Sequence, residues 1–558
     1  MGLISRSALR ALVLLVLIGP VLLGIGQTLT AAFGWLPALG ERSIDLAAWQ
    51  ALLERPGLAT AVRLSAWTGS AATLIGFCLA FALVAGLYGR PLGRRLTALL
   101  APSLATPHAA MAIGLAFVIA PSGWLFRLLA GPLDLAQPPA FALVSDPMGI
   151  GLIAGLLLKE IPFLALVMTA ALSHLPVRRW LIMARSLGYG TAAAWVRVIL
   201  PRLWPQIRLP TLIVFSYALS NVDMALLLGP ANPPVLAVLV LRLYTAPELT
   251  SLMTAGAGAL LQALLVVTGF VALWLLERMI RHVGIHALRR GRRGRIGGLI
   301  AGIARWAAGL LFGLGTLALA ALVVWSFSWR WPWPDIWPER LSLAAWLQPS
   351  SGWVDPLLYS LGFATLTTVV ALVLVIAWLE TTSARFHPVL SGIVYAPLLL
   401  PQIGFLPGLQ FGFLQIGLDA GILAVSWAHL LFVFPYVLLV LIGPWRGFDP
   451  SLLHQAASLG AGPLRRLVSV KLPVLLGPVL AAAAIGVAVS IAQYLPTLIM
   501  GAGRITTLTT EAVSLASGAD RRITAVYAML QTLIPLVAYA VAILLPAWQA
   551  RNRRFLRE

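Results

Sequence analysis

The sequence predicts an all-α polytopic membrane protein of about twelve transmembrane helices, arranged as two parallel six-helix repeats. Three observations predict it. Of 558 residues, 60% are hydrophobic and only 10% charged, with a mean hydropathy of +0.94, whereas a soluble protein carries about 25% charged residues. Apolar runs long enough to cross the hydrocarbon recur along the whole chain. Landmarks of the first half reappear, in order, in the second. A water-soluble enzyme is excluded for want of polar surface, and a disordered chain for want of charge.

The runs lie near 11–36, 60–88, 96–121, 149–172, 209–230 and 252–276, then near 299–328, 357–380, 389–412, 420–444, 477–500 and 523–547. The first follows Arg6 and Arg10 like a signal peptide, but it is long and has no small-residue cleavage site, so it reads as an uncleaved span. With the N-terminus inside, 28 of the 39 basic residues fall on the cytoplasmic side, which fixes orientation by the positive-inside rule and places both termini in the cytoplasm. The net charge of +21 is therefore assigned to topology and not to nucleic acid. Its densest part, with Arg289, Arg290, Arg292, Arg293 and Arg295, lies in a basic linker at 281–298 that separates a first half, 1–280, from a second, 299–558. On the opposite face WRWPWPDIW, from Trp329 to Trp337, reads as an interfacial aromatic anchor. The single cysteine, Cys78, rules out an internal disulfide.

The repeat is carried by LIMARSLGYGTAAAWVRVILP, ending at Pro201, and LLHQAASLGAGPLRRLVSVKLP, ending at Pro473. Gly188 and Gly460 are offset by 272, as are Pro201 and Pro473. Pro107 and Gly114 correspond to Pro401 and Gly408 with an offset of 294, so about 22 extra residues fall between these landmarks in the first half. Six spans per half is an even number, so the halves are parallel and related by an axis along the membrane normal. A central pathway between them follows. Each repeated segment lies on the basic side, between the fourth and fifth spans of its half, near 182–201 and 454–473. It offers a short helix of small and apolar residues, a glycine able to turn the chain, and an amphipathic stretch ending at proline.

These residues resemble the signature of the membrane permease subunits of type I ABC importers: Glu-Ala-Ala, three residues, Gly, nine residues, Ile, one residue, Leu-Pro. The matching positions are Ala184, Gly188, Val198, Leu200 and Pro201, and Ala456, Gly460, Val470, Leu472 and Pro473. The family's Glu is replaced by Ile182 and His454, and its first Ala by Met183 and Gln455. The resemblance extends over nearly the whole chain and is similar to the fused permeases of thiamine, ferric iron or polyamine uptake. It implies that Ala184, Gly188, Leu200, Pro201, Ala456, Gly460, Leu472 and Pro473 belong to two coupling segments. Two copies of a separate ATPase dock there, using ATP and magnesium, and an extracytoplasmic solute-binding protein delivers the cargo. The chain would then lie in the bacterial cytoplasmic (inner) membrane and work by alternating access.

The chain itself is not the motor. A P-loop needs Lys followed by Ser or Thr, and the only lysines are Lys159, followed by Glu160, and Lys471, followed by Leu472. Of seven histidines only His282 and His286 have helical spacing, without cysteine or a second carboxylate beyond Glu277, so no metal or catalytic site is expected. Within the spans, Lys159, Glu160 and Asp223 are ionisable and costly to bury. They line the pathway or hold helices together. Asn221, Val222 and Asp223 fall, by the 272 offset, opposite Gln493, Tyr494 and Leu495. Asn221, Asp223, Gln493 and Tyr494 are the leading pathway candidates, with interhelical hydrogen bonding the other reading, and His108 and Gln402 after the paired prolines come next. An ion-gradient-driven secondary transporter using Glu160 and Asp223 is the alternative, since twelve spans in parallel repeats suit that class too.

Overall fold

In a computed structural model, the structure describes residues 6–37, 40–91, 93, 95, 100, 103–289, 297–348, 352–382, 392–418, 420–518 and 520–551. The chain is an all-α polytopic membrane protein. Strands are confined, among the described residues, to two short hairpins. Nine described helices are long and apolar enough to cross a membrane, and ten if a pair bent by 81° is one span. They include α1 (Arg6–Ala32), α2 (Leu58–Leu87), α3 (His108–Ile119, extended to Ala130 by a second helix), and α4 (Ile150–Ser173).

The predicted runs at 209–230 and 389–412 differ from this count for one physical reason, proline and polar breaks. The first becomes α6 (Leu200–Ser220), with Pro205 and Pro210 inside, and stops at Asn221. A short α7 (Asp223–Leu228) follows, then α8 (Leu236–Tyr244). The second is split into Ala396–Leu399, a 3₁₀ turn at Gln402–Gly404 and a helix at Leu406–Gln415, with Pro401 and Pro407 at the joints. Its start, 383–391, lies outside the described residues. The basic linker is partly helical, because α9 (Ser251–Arg289) runs on from the sixth span, and the next long helix, α10, spans Gly297–Phe327. Residues 290–296, which hold most of the arginines, also lie outside the described residues.

The two halves exchange their first spans. α1 packs against Leu406–Gln415 and against α11 (Val354–Thr381), both of the second half, while α10 packs on α2 and α3 of the first. The glycines that marked the repeat make this possible. A Cβ on Gly408 would fall on the backbone of Gly24 and Thr28 in α1, and one on Gly24 would fall on the carbonyl oxygen of Phe405. A Cβ on Gly114 would come within 2.5 Å of the Ala318 carbonyl oxygen in α10. Gly114 with Ala318 and Gly408 with Gly24 are related by the same 294 offset. Without a hydrophobic driving force between helices in lipid, such backbone approach at small residues is what holds spans together.

The tryptophan run is more than an interfacial anchor. It begins within a strand at Ser328–Arg330 and wraps a guanidinium. Buried Arg127 donates to the carbonyls of Pro332 (2.6 Å), Asp335 (2.8 Å), Trp331 (3.1 Å) and Ser122 (3.0 Å), and lies over the rings of Trp331 and Trp333. The planar fork with five donors suits a loop whose prolines leave carbonyls unpaired. Trp329 and Trp337 stay exposed in the manner expected of interfacial indoles.

Candidate functional site

Two short helices, α5 (Val177–Ser186) and α12 (Ser451–Ser458), occupy the repeated segments. Both end in the same way. Gly188 and Gly460 have φ of 82° and 78°, and their N–H groups donate to Arg185 (2.9 Å) and Ala457 (2.9 Å). The N–H groups of Tyr189 and Ala461 reach back to Ala184 and Ala456, each at 3.0 Å. This pair of bonds is the Schellman stop. It explains the Ala-to-Gly spacing: the alanine supplies the carbonyl for the longer bond, and the left-handed turn needs glycine. Asp449 starts α12 by accepting from the hydroxyl (2.7 Å) and N–H (2.9 Å) of Ser451. Those bonds hold its carboxyl below the usual range.

The Leu-Pro end has its own cause. One turn of π-helix at Trp195–Ile199 and another at Leu467–Lys471 precede Pro201 and Pro473, again 272 residues apart. A proline lacks the N–H and crowds the carbonyl one turn back, and a π-turn absorbs both. The N–H groups of Leu200 and Leu472 accordingly bond to Trp195 and Leu467. Beyond the turns the chain enters α6 in the first half and, after a bend at Leu475, α13 (Leu476–Ile491) in the second. Ala184 is buried and Ala456 half-buried, Leu200 and Leu472 are half-buried, and Pro201 and Pro473 are exposed. Around them Ile182, Met183 and Leu187, and in the second half Leu459 and Leu464, project their apolar side chains outward.

α6 and α13 form two walls of a central cavity of about 240 Å³. All six sequence candidates line it: Lys159, Glu160, Asn221, Asp223, Gln493 and Tyr494. His108 and Gln402 do as well. α6 breaks after Ser220 and α13 after Ile491, so the polar residues of each half sit at matching helix breaks. Irregular backbone at membrane depth is tolerable where it lines a cavity and its polar groups find partners. Here buried Gln262 donates to the freed Leu219 carbonyl (3.1 Å), and Thr497 and Thr509 donate to the carbonyls of Gln493 (2.9 Å) and Ile491 (2.5 Å).

The charged groups are used unequally. Pro107 cannot donate to the carbonyl of Ser103 one turn before it. Lys159 of α4 caps that interrupted helix, giving its three protons to the carbonyls of Ser103 (2.8 Å), Leu104 (3.1 Å) and Thr106. An ammonium has three donors, and all are spent. Glu160, the next residue, points elsewhere, as adjacent helix positions must. Its carboxyl packs against Gly76 of α2, where a Cβ would lie 3.2 Å from Oε2, and it has no hydrogen-bond partner among the described residues. Asp223 begins α7, and its Oδ1 accepts from Asn221 (2.8 Å) and the Tyr217 hydroxyl (3.3 Å). The Asn221 amide oxygen in turn accepts from the N–H of Ala225 (3.1 Å). The start of α7 is thus already capped by the protein's own oxygens. Neither Lys159 nor this helix end is free to hold an anion.

The sequence reading missed the aromatic lining of Phe163, Tyr217, Phe432, Tyr436 and Tyr539, in which the Tyr217 ring lies 4.6 Å from that of His108. Tyr217 lies one helical turn before Asn221, a spacing that could have found it. The role of Lys159 gives a direct expectation. Lys159→Met should lower the amount of folded chain and its melting temperature in detergent, by about 2–4 kcal/mol, since the carbonyls of Ser103, Leu104 and Thr106 lose a charged donor. A Lys159→Met chain as stable as the unmodified one would contradict the capping role.

No family model matches the chain. Among curated proteins it is 33% identical over 516 residues to the inner membrane ABC transporter permease protein YnjC of Escherichia coli (strain K12), covering 92% of this chain and 93% of that one. Shorter stretches are similar to the spermidine/putrescine transport system permease protein PotC, at 31% over 113 residues in Haemophilus influenzae and 28% over 89 residues in Escherichia coli (strain K12). These cover 20% and 16% of this chain, and 44% and 34% of those relatives. With a helical membrane fold and full-length similarity of that degree, the chain belongs to the family of inner-membrane permease proteins of ABC transporters.

Proposed function

We propose that this chain forms the whole translocation pathway of a type I ABC importer in the bacterial inner membrane. Two copies of an ATPase dock on the segments near 182–201 and 454–473, and a solute-binding protein delivers cargo from outside. Halves 1–280 and 299–558 face each other across the cavity, joined by the linker at 281–298, with both termini in the cytoplasm. ATP and magnesium belong to the ATPase, and this chain holds no cofactor. ATP binding draws the motors together and switches the cavity between inward-facing and outward-facing.

One observation carries this reading: two helices with the same Schellman stop and the same π-turn, 272 residues apart, each leading into a wall of the central cavity. A gradient-driven transporter has no use for paired docking surfaces on its cytoplasmic face. The exposed apolar side chains of Ile182, Met183, Leu187, Leu459 and Leu464 suit burial against another protein. Because Lys159 and the start of α7 are already engaged, the cavity favours neutral or cationic cargo over an anion. The local similarity to permeases named for spermidine and putrescine agrees with that polarity.

Purified from its native membrane, the chain is expected to bring down two copies of a P-loop ATPase, and vesicles containing the complex to take up cargo only with ATP. A chain that purifies alone, and transports on a proton or sodium gradient without ATP, would overturn the proposal and return attention to Glu160 and Asp223.

A further inference from the structure

The two routes from docking helix to cavity wall are built differently. In the first half the backbone is continuously helical from Thr191 to Ser220. In the second, Pro463–Val474 and Leu476–Ile491 meet at 81°. Pro473 and the Gly477-Pro478 pair account for the elbow, since neither proline donates and glycine stiffens nothing. An elbow without a brace would flex when the docking helix is pushed.

A brace is present. Lys471, the last residue of the π-turn, is buried, and its Nζ lies 2.5 Å from Glu380 Oε1 at the cytoplasmic end of α11. The same oxygen accepts from Trp445 Nε1 (3.1 Å), and the ammonium lies 4.4 Å from the centroid of the Trp445 ring and 5.7 Å from that of Phe448. A carboxylate in the last turn of a helix opposes the helix dipole, so Glu380 gains little from its own helix and depends on Lys471. The corresponding first-half residue, Ile199, is fully buried and apolar. There the neighbouring Trp195 packs edge-on against Phe81 and Tyr88 instead.

We propose that Lys471, with Glu380 and Trp445, is a positioning joint that makes the second elbow rigid, so that movement of the docking helix reaches the cavity wall. The proposal rests on the ATP-coupled reading above. It assigns the joint to the second half alone.

The test follows each wall separately in the full complex with its co-purified ATPase. Cys78 is first replaced by alanine, and a cysteine is then placed at Ala488 in α13 or at its first-half counterpart, Ser216 in α6, both of which line the cavity. The rate of labelling by a small maleimide is read with and without ATP and vanadate. With the joint intact, both probes are expected to change rate several-fold. Glu380→Gln keeps an acceptor for Trp445 and removes only the charge. It should abolish the response of the Ala488→Cys probe, leave that of Ser216→Cys, and spare ATP hydrolysis. Lys471→Met should do the same, and Lys471→Arg should restore the response.

An unchanged Ala488→Cys response in Glu380→Gln overturns the joint, as does equal loss at both probes. Absence of any ATP response with the joint intact, at either probe, overturns the ATP-coupled reading and the joint with it.

Discussion

Replacing Gly188 and Gly460 together by valine is expected to strip the ATPase from the purified complex at least tenfold, while the chain stays in the membrane at near-normal amounts. Both glycines have positive φ, 82° and 78°, where a β-branched residue is a true outlier. The strain is on the order of 1–3 kcal/mol at each site, too little to unfold a membrane bundle but enough to discard the Schellman stop. Nothing lies within 4 Å of a Cβ on Gly460, so there the effect is conformational and not steric. Once the stop is lost, the helix runs on or unwinds, and exposed Leu187 and Leu459 leave their places. The check is the ratio of ATPase to chain after purification, with alanine at the same positions giving a milder loss. A double valine variant that retains its ATPase would remove the docking role from these segments.

Gly408→Leu is expected to have a different and more drastic outcome, loss of the folded protein. A Cβ at this position would collide with backbone atoms of Gly24 and Thr28 in α1, which cannot swing aside like a side chain. Overpacking a core costs about 1–3 kcal/mol when side chains can rearrange, and here the helix itself would have to move. Membrane content and the thermal stability of the detergent-solubilised chain report the loss. Gly362→Leu in α11, where nothing lies within 4 Å, should be harmless and controls for the larger residue. Normal stability of Gly408→Leu would mean that α1 is not seated there.

Much of this was legible in the sequence because hydrophobic patterning and repeats are local properties. The composition gave the membrane class, and the offsets of 272 and 294 gave the duplication. All six pathway candidates reached one cavity because polar residues in a span have few other places to go. The rest depends on groups brought together by the fold. Lys159 reads as a pathway charge until Pro107 is found beside it, leaving carbonyls to cap. Gly114 and Gly408 read as landmarks, but the spans they receive come from the opposite half. Lys471 occupies the unspecified position before Leu-Pro, and its partner Glu380 lies 91 residues away. The tryptophan run needed Arg127 from a distant loop before it became a built structure.

The exchange of first spans also sets an order of assembly. α10 is synthesised after α2 and α3, so its seat is waiting when it enters the bilayer, and the first core can close at once. α1 has the opposite experience. It is made first, yet the helix that receives it, Leu406–Gln415, follows only when most of the chain is complete. Until then α1 rests on α9 of its own half alone, and the face that Gly24 presents to Gly408 meets lipid. Release of the nascent chain and closure of the second core therefore come at nearly the same moment, and a ribosome that stalls in the ninth span leaves the Gly24 face of α1 unclaimed.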